Sequence, residues 1–144
     1  MLKKPIVLGV LGVTAIILLI QLIPYGRAHA NPPVVKEPQW NTPETRSLAV
    51  RACFDCHSNE TVWPWYSSVA PFSWLIQRDV DEGRGRLNFS AWGQLRIRRV
   101  GEIGEVIMEG EMPPWYYVIQ HPTAGLSAAE KQALVDGLLA TLNR

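Results

Sequence analysis

Cys53-Phe54-Asp55-Cys56-His57 sets two thiols three positions apart and an imidazole directly after the second. Two intervening residues let one helical turn span neighbouring vinyl groups of a porphyrin, and the histidine can then reach the iron from the same side. The pattern is therefore the attachment signature of c-type haem, one haem c bonded covalently through Cys53 and Cys56 with His57 as an axial ligand. Other chemistries use the same residues. A disulfide or a thioredoxin-like redox pair also takes Cys-x-x-Cys, and two thiols with a histidine can begin a zinc site. Zinc would need a fourth ligand from His29 or His121, and a thioredoxin-like fold needs alternating strands that this chain lacks.

An iron held by His57 needs a decision about its sixth position. Met112, in Gly110-Glu111-Met112-Pro113-Pro114, follows a helical stretch where a stiff proline-rich loop can lay a thioether against the distal face. Met108 lies within that stretch and reads as core. His121, in Gln120-His121-Pro122, is the alternative distal ligand.

The elements that must position these groups read as helices joined by loops, an all-α, cytochrome c-like domain of about four helices around one haem. Thr42 before Pro43 is a good helix start, and Leu48, Ala49, Ala52 and Cys53 share a face, which puts the haem motif at the end of a first helix. A second runs from about Pro71 through Phe72, Trp74, Leu75, Ile76 and Val80 and is expected to stop at Gly83 and Gly85. Ser90 can cap a third, whose Leu95, Val100, Ile103, Val106 and Ile107 recur at helical spacing up to Gly110. Ser127 to Glu130 has the form of a capping box, and Leu134, Val135, Leu138, Leu139 and Leu142 make the apolar stripe of the last helix.

Ahead of this domain, residues 5–23 form an apolar run without charge, preceded by Lys3 and Lys4. Its length predicts a transmembrane helix, and the lysines predict residues 1–4 in the cytoplasm with everything after Pro24 on the periplasmic side of the inner membrane. Ala28-His29-Ala30 also has the small-x-small form of a signal-peptide cleavage site, though the run is longer than most signal cores. Residues 24–42 carry most of a proline series (24, 32, 33, 38 and 43) and read as a semi-rigid linker, or else as an arm docked through Trp40, leaving 43–144 for the haem domain.

The 144 residues carry a formal charge of +1, and residues 41–144 hold ten Lys or Arg against twelve Asp or Glu. That balance excludes nucleic acid as an expected partner. The partners expected instead are redox proteins of the membrane or periplasm.

Residues 56–74, Cys-His-Ser-Asn-Glu-Thr-Val-Trp-Pro-Trp-Tyr-Ser-Ser-Val-Ala-Pro-Phe-Ser-Trp, carry a further signal. Together with Asp81-Glu82-Gly83-Arg84, Leu87-Asn88-Phe89-Ser90-x-Trp92 and Met112-Pro113-Pro114, they closely resemble the bacterial haem-binding domain family of small anchored c-type proteins. The resemblance covers roughly residues 31–144 and implies a monohaem c-type cytochrome-like domain with Cys53, Cys56 and His57 in the attachment roles.

Trp63, Trp65, Tyr66, Phe72, Trp74 and Trp92 read mainly as core, and the tryptophans with Tyr66 are candidate walls of a haem pocket. Among Arg84, Arg86, Arg96, Arg98 and Arg99, the first two are candidate partners for the propionates. With both axial positions filled the expected function is single-electron transfer. A haem enzyme or gas sensor would instead leave the sixth site open and place His121 or Glu111 over it as an acid-base group.

Overall fold

The computed structural model of the protein describes residues 3–93 and 100–142. Within them lie α1 (Lys3–Ile20), α2 (Pro43–Ala52), α3 (Phe54–His57), α4 (Phe72–Arg86), α5 (Val100–Met108), α6 (Trp115–Gln120) and α7 (Ala128–Leu142), with 3-10 turns at Trp65–Ser68 and Pro122–Ala124. The chain is helical, as the apolar spacing predicts. The expected four helices of the domain are corrected to six beyond α1, because α3 and α6 are too short to show a period in sequence. The chain divides into two compact units, Met1–Ala30 with Trp63–Asp79 and Asn31–Val62 with Val80–Arg144.

In the first unit the helix ends sooner than the apolar run. α1 has 18 residues and opens on Lys3 and Lys4, so its apolar part, residues 5–20, is about 24 Å long against a hydrocarbon core of about 30 Å. Gln21 closes it. Its Nε2 donates to the carbonyls of Ile17 (3.0 Å) and Ala70 (2.9 Å), while its Oε1 accepts from the Ala70 amide (3.0 Å) and from Arg27 (3.0 Å). Leu22 and Ile23 continue only as turns bonded to Leu19 and Ile20. Among the described residues no helix is long and apolar enough to cross a membrane. The transmembrane helix expected over residues 5–23 is thereby corrected, and the single-pass inner-membrane placement that rested on it falls with it.

The second unit has one apolar core, Leu48, Ala49, Phe54, Phe89, Ile107, Leu134, Val135 and Leu138, with Trp40, Cys53, Leu87, Trp92 and Met112 among the half-buried residues packed on it. Both helix starts expected for α2 and α7 are present. Thr42 Oγ1 accepts from the Thr45 amide at 3.1 Å with Pro43 in the first helical position. Ser127 and Glu130 exchange bonds reciprocally, the Ser127 amide donating to Glu130 Oε2 at 2.8 Å and the Glu130 amide to Ser127 Oγ at 3.3 Å.

The third helix differs from its expectation. Its described part starts at Val100, and Leu95, Arg96, Arg98 and Arg99 lie outside the described residues. Ser90, expected as its cap, is instead buried and serves as an anchor: its carbonyl accepts from the Val35 (2.8 Å) and Lys36 (3.1 Å) amides, and its Oγ from the Asn59 amide (2.9 Å). Met108, expected in the core, is 47% exposed because α5 turns Ile107 inward instead.

Residues 33–40 pack on this unit as an arm. Pro33 accepts from Asn59 Nδ2 (3.0 Å), Lys36 accepts from the Trp92 amide (3.0 Å), and the Trp40 ring lies 5.2 Å from Phe89 and 6.3 Å from Phe54. Extended backbone without internal hydrogen bonds gains partners by docking. Glu37 locks the arm: it accepts from Arg46 Nε and Nη2 (both 2.8 Å) and from Trp40 Nε1 (2.8 Å). Those bonds, first the one from Arg46, hold the Glu37 carboxyl below its ordinary range. A carboxylate depressed in the folded state adds stability above its unfolded pKa and loses it as pH falls through the folded value. Glu37→Gln should therefore lower stability at neutral pH by about 1 kcal/mol or less, the pair being partly exposed. The gap to wild type should close in acid. Denaturant titrations at several pH values check this, and a gap that stays constant would contradict it.

Candidate functional site

Cys53 is at once the C-cap of α2 and the residue from which α3 starts. Its amide donates to the Ala49 carbonyl (2.8 Å), and its carbonyl accepts from the amides of Cys56 (3.2 Å) and His57 (2.8 Å), so the pentapeptide is one helical turn. The two cysteines form no disulfide. Burial pushes the Cys53 thiol up to about 12, which keeps it protonated.

His57 is oriented through its ring. Nδ1 lies 3.1 Å from the Leu87 carbonyl, and a carbonyl only accepts, so Nδ1 carries the proton and the lone pair is on Nε2. Burial holds the imidazole below its ordinary value, the Leu87 and Gly83 carbonyls oppose that shift, and the Arg86 charge adds to it. A neutral imidazole with a backbone-bonded Nδ1–H is the state that ligates. The main chain is fixed as well, the Phe89 amide donating to the His57 carbonyl at 2.8 Å.

Gly83 and Gly85 do not stop α4, which runs to Arg86. A Cβ at position 83 would run into the Cys56 carbonyl oxygen. Glycine there lets the helix press its backbone on the attachment turn, and that close approach outweighs the cost of glycine in a helix.

The polar run after His57 is fully engaged. Ser58 Oγ donates to the Phe54 carbonyl (2.8 Å) and Thr61 Oγ1 to the Asp55 carbonyl (2.7 Å), while Asn88 Nδ2 donates to Asn59 Oδ1 (2.9 Å). Arg84 belongs to this network: Nε donates to the Ser58 carbonyl (2.8 Å) and Nη2 to Thr61 Oγ1 and Asn31 Oδ1 (both 3.0 Å). These bonds tie Arg84 to the turn that follows His57. Arg86 has a side chain 77% exposed, a 4.0 Å contact to Glu82 and a charge close enough to act on His57.

Met112 packs on the same core as Cys53 and Phe54. The loop carrying it leaves α5 through Gly110 in the left-handed region (φ 82°), and the Met112 amide closes back on the Val106 carbonyl at 3.0 Å. His121 is stacked on Tyr117, ring centroids 4.3 Å apart at 15°. The Tyr117 hydroxyl donates to Asp55 Oδ2 at 2.6 Å, and burial, then that bond, raise its pKa so that it stays protonated.

Of the aromatic residues expected around the haem, Trp92 shares the unit of Cys53, Cys56, His57 and Met112, whereas Trp63, Trp65, Tyr66 and Trp74 belong to the other. There Trp63 stacks on His29 (4.9 Å, 22°), and Trp65 is 82% exposed. His29 Nε2 is engaged by Ser67, and among the described residues no group of three or more His, Cys, Asp or Glu is placed to hold a metal ion. Asp55, Asn59, Gly83, Ser90 and Tyr117 take part in the site without having been singled out for it. A polar run beside a buried ligand was a signal for Asn59, since buried polar groups need partners. Nothing local marked Tyr117.

The donor set suits a haem: two thiols and the oriented, neutral imidazole of His57 on one turn, and a thioether packed on the same core. A family model described as a haem-binding domain matches residues 15–140. No curated protein and no solved structure matches the chain.

Proposed function

We propose that this chain, which belongs to the haem-binding domain family, holds one haem c through Cys53 and Cys56, with His57 and Met112 on the iron, and passes single electrons to and from redox proteins. The observation that carries the reading is the Nδ1–H of His57 directed at the Leu87 carbonyl, which leaves the Nε2 lone pair available to a metal. Haem so ligated supplies a one-electron couple whose potential the thioether raises.

The chain's own part is to bind and to hold still. Cys53 and Cys56 supply the covalent bonds, and the Leu87 carbonyl sets the tautomer and the basicity of His57. Gly83 and Arg84 fix the turn on which all three stand, so oxidation and reduction require little rearrangement. Arg86 offers a cation for a propionate. Met112 fills the remaining position and keeps out exogenous ligands.

Met112→Ala tests the reading. The variant should lose the sulfur-to-iron charge-transfer band, fall in reduction potential and bind carbon monoxide when reduced, while Met108→Ala and His121→Ala keep the band. If wild type already binds carbon monoxide as readily as Met112→Ala does, the electron carrier gives way to an enzyme or sensor.

A further inference from the structure

Tyr117 and Asp55 are 62 residues apart in sequence and joined by a 2.6 Å hydrogen bond. Asp55 stands between the two cysteines, and Tyr117 stands five positions after Met112. We propose that Tyr117 is a positioning residue for the distal ligand: its hydroxyl ties the Met112 loop to the peptide that carries the haem, and without that tie Met112 yields the iron to competitors more readily. The proposal rests on the His57/Met112 reading and adds to it the group that keeps the sixth ligand in place.

Both oxygens of Asp55 are committed. Oδ2 accepts from Tyr117, and Oδ1 accepts from the Val62 amide at 2.9 Å, so the carboxylate is aimed rather than free to swing. The Tyr117 ring is backed by His121, stacked at 4.3 Å, and its amide donates to the Pro114 carbonyl at 3.0 Å. Between Tyr117 and Met112 stand only Tyr116, Trp115 and two prolines, whose fixed φ leaves little slack. On its other side the loop is held by the bond from the Met112 amide to Val106. Met112 is thus restrained at both ends, at one by α5 and at the other by the attachment turn itself. A ligand restrained near its position competes better than one on a loose loop, because less freedom remains to be lost on binding.

The test is imidazole binding to the oxidised, haem-loaded full chain. Tyr117→Phe keeps the ring and its stacking but removes the donor, and Asp55→Ala removes the acceptor from the other side. Each should bind imidazole about tenfold more tightly than wild type, the change that losing one hydrogen bond to a charged acceptor corresponds to. Tyr117→Phe should add nothing in the Asp55→Ala background. A bond that served only the fold would move the unfolding midpoint and leave imidazole affinity alone. Unchanged affinity in Tyr117→Phe, or additive effects in the double variant, would overturn the proposal while the His57/Met112 reading stood. Should wild type lack the sulfur-to-iron band altogether, that reading fails first and takes this proposal with it.

Discussion

Replacing Cys53 and Cys56 together by alanine should yield a protein from which acidified organic solvent removes all of the haem, whereas wild type made in the presence of haem-attachment machinery keeps its colour through denaturation and extraction. The size of the effect follows from the chemistry. On the proposed reading each thiol would add to a vinyl group and form a bond that unfolding does not break, whereas a bond from His57 to iron would depend on the fold around it. No other cysteine exists in the chain to substitute for either. The double variant still has His57 turned by Leu87 and a half-buried Met112, so it can bind haem reversibly, and extraction then separates covalent from non-covalent binding. Haem that washes out of wild type, or that resists extraction from the double variant, would contradict covalent attachment.

Phe89→Ala should be the most damaging single change to stability, costing about 3–5 kcal/mol in a domain whose total is of the order of 5–15 kcal/mol. Phe89 is fully buried, and its ring meets three others: Phe54 at 5.4 Å, Trp40 at 5.2 Å and Trp92 at 6.1 Å. Trp40 brings in the arm, Phe54 the turn that carries Cys53, Cys56 and His57. Removing the ring leaves a cavity where they meet and loosens the segment whose amide holds the His57 carbonyl. Urea unfolding of the haem-loaded protein measures the loss, and covalent haem yield should fall with it. A loss under about 1 kcal/mol would show that this cluster is not the centre of the core.

Short-range rules located what is short-range. The pentapeptide turn, the Thr42-Pro43 start and the Ser127–Glu130 box depend on neighbours within one or two turns, and each is where the residues place it; of the α7 stripe, Leu134, Val135 and Leu138 are buried and Leu139 and Leu142 half-buried. Gly83 went the other way. In sequence a glycine reads as a helix stop, but whether it stops a helix is decided by what lies against it, and here that is the Cys56 carbonyl. The apolar run over 5–23 shows the same limit, since its helix is closed by Gln21 bonding to Ala70, 49 residues away. The hydrogen bonds of Arg84 were not legible either, because its carbonyl and hydroxyl partners lie in the turn after His57. The tryptophans carried a compositional signal without an address, and only folding assigned Trp92 and Trp63 to different units.

The most direct test of the central claim is the far-red absorption spectrum of the oxidised, haem-loaded wild-type protein at neutral pH. Ligation by His57 and Met112 predicts a weak sulfur-to-iron charge-transfer band that disappears when methionine leaves the iron. A spectrum without that band would show that the thioether does not occupy the sixth position, and would contradict the account of this chain as a His/Met-ligated electron carrier.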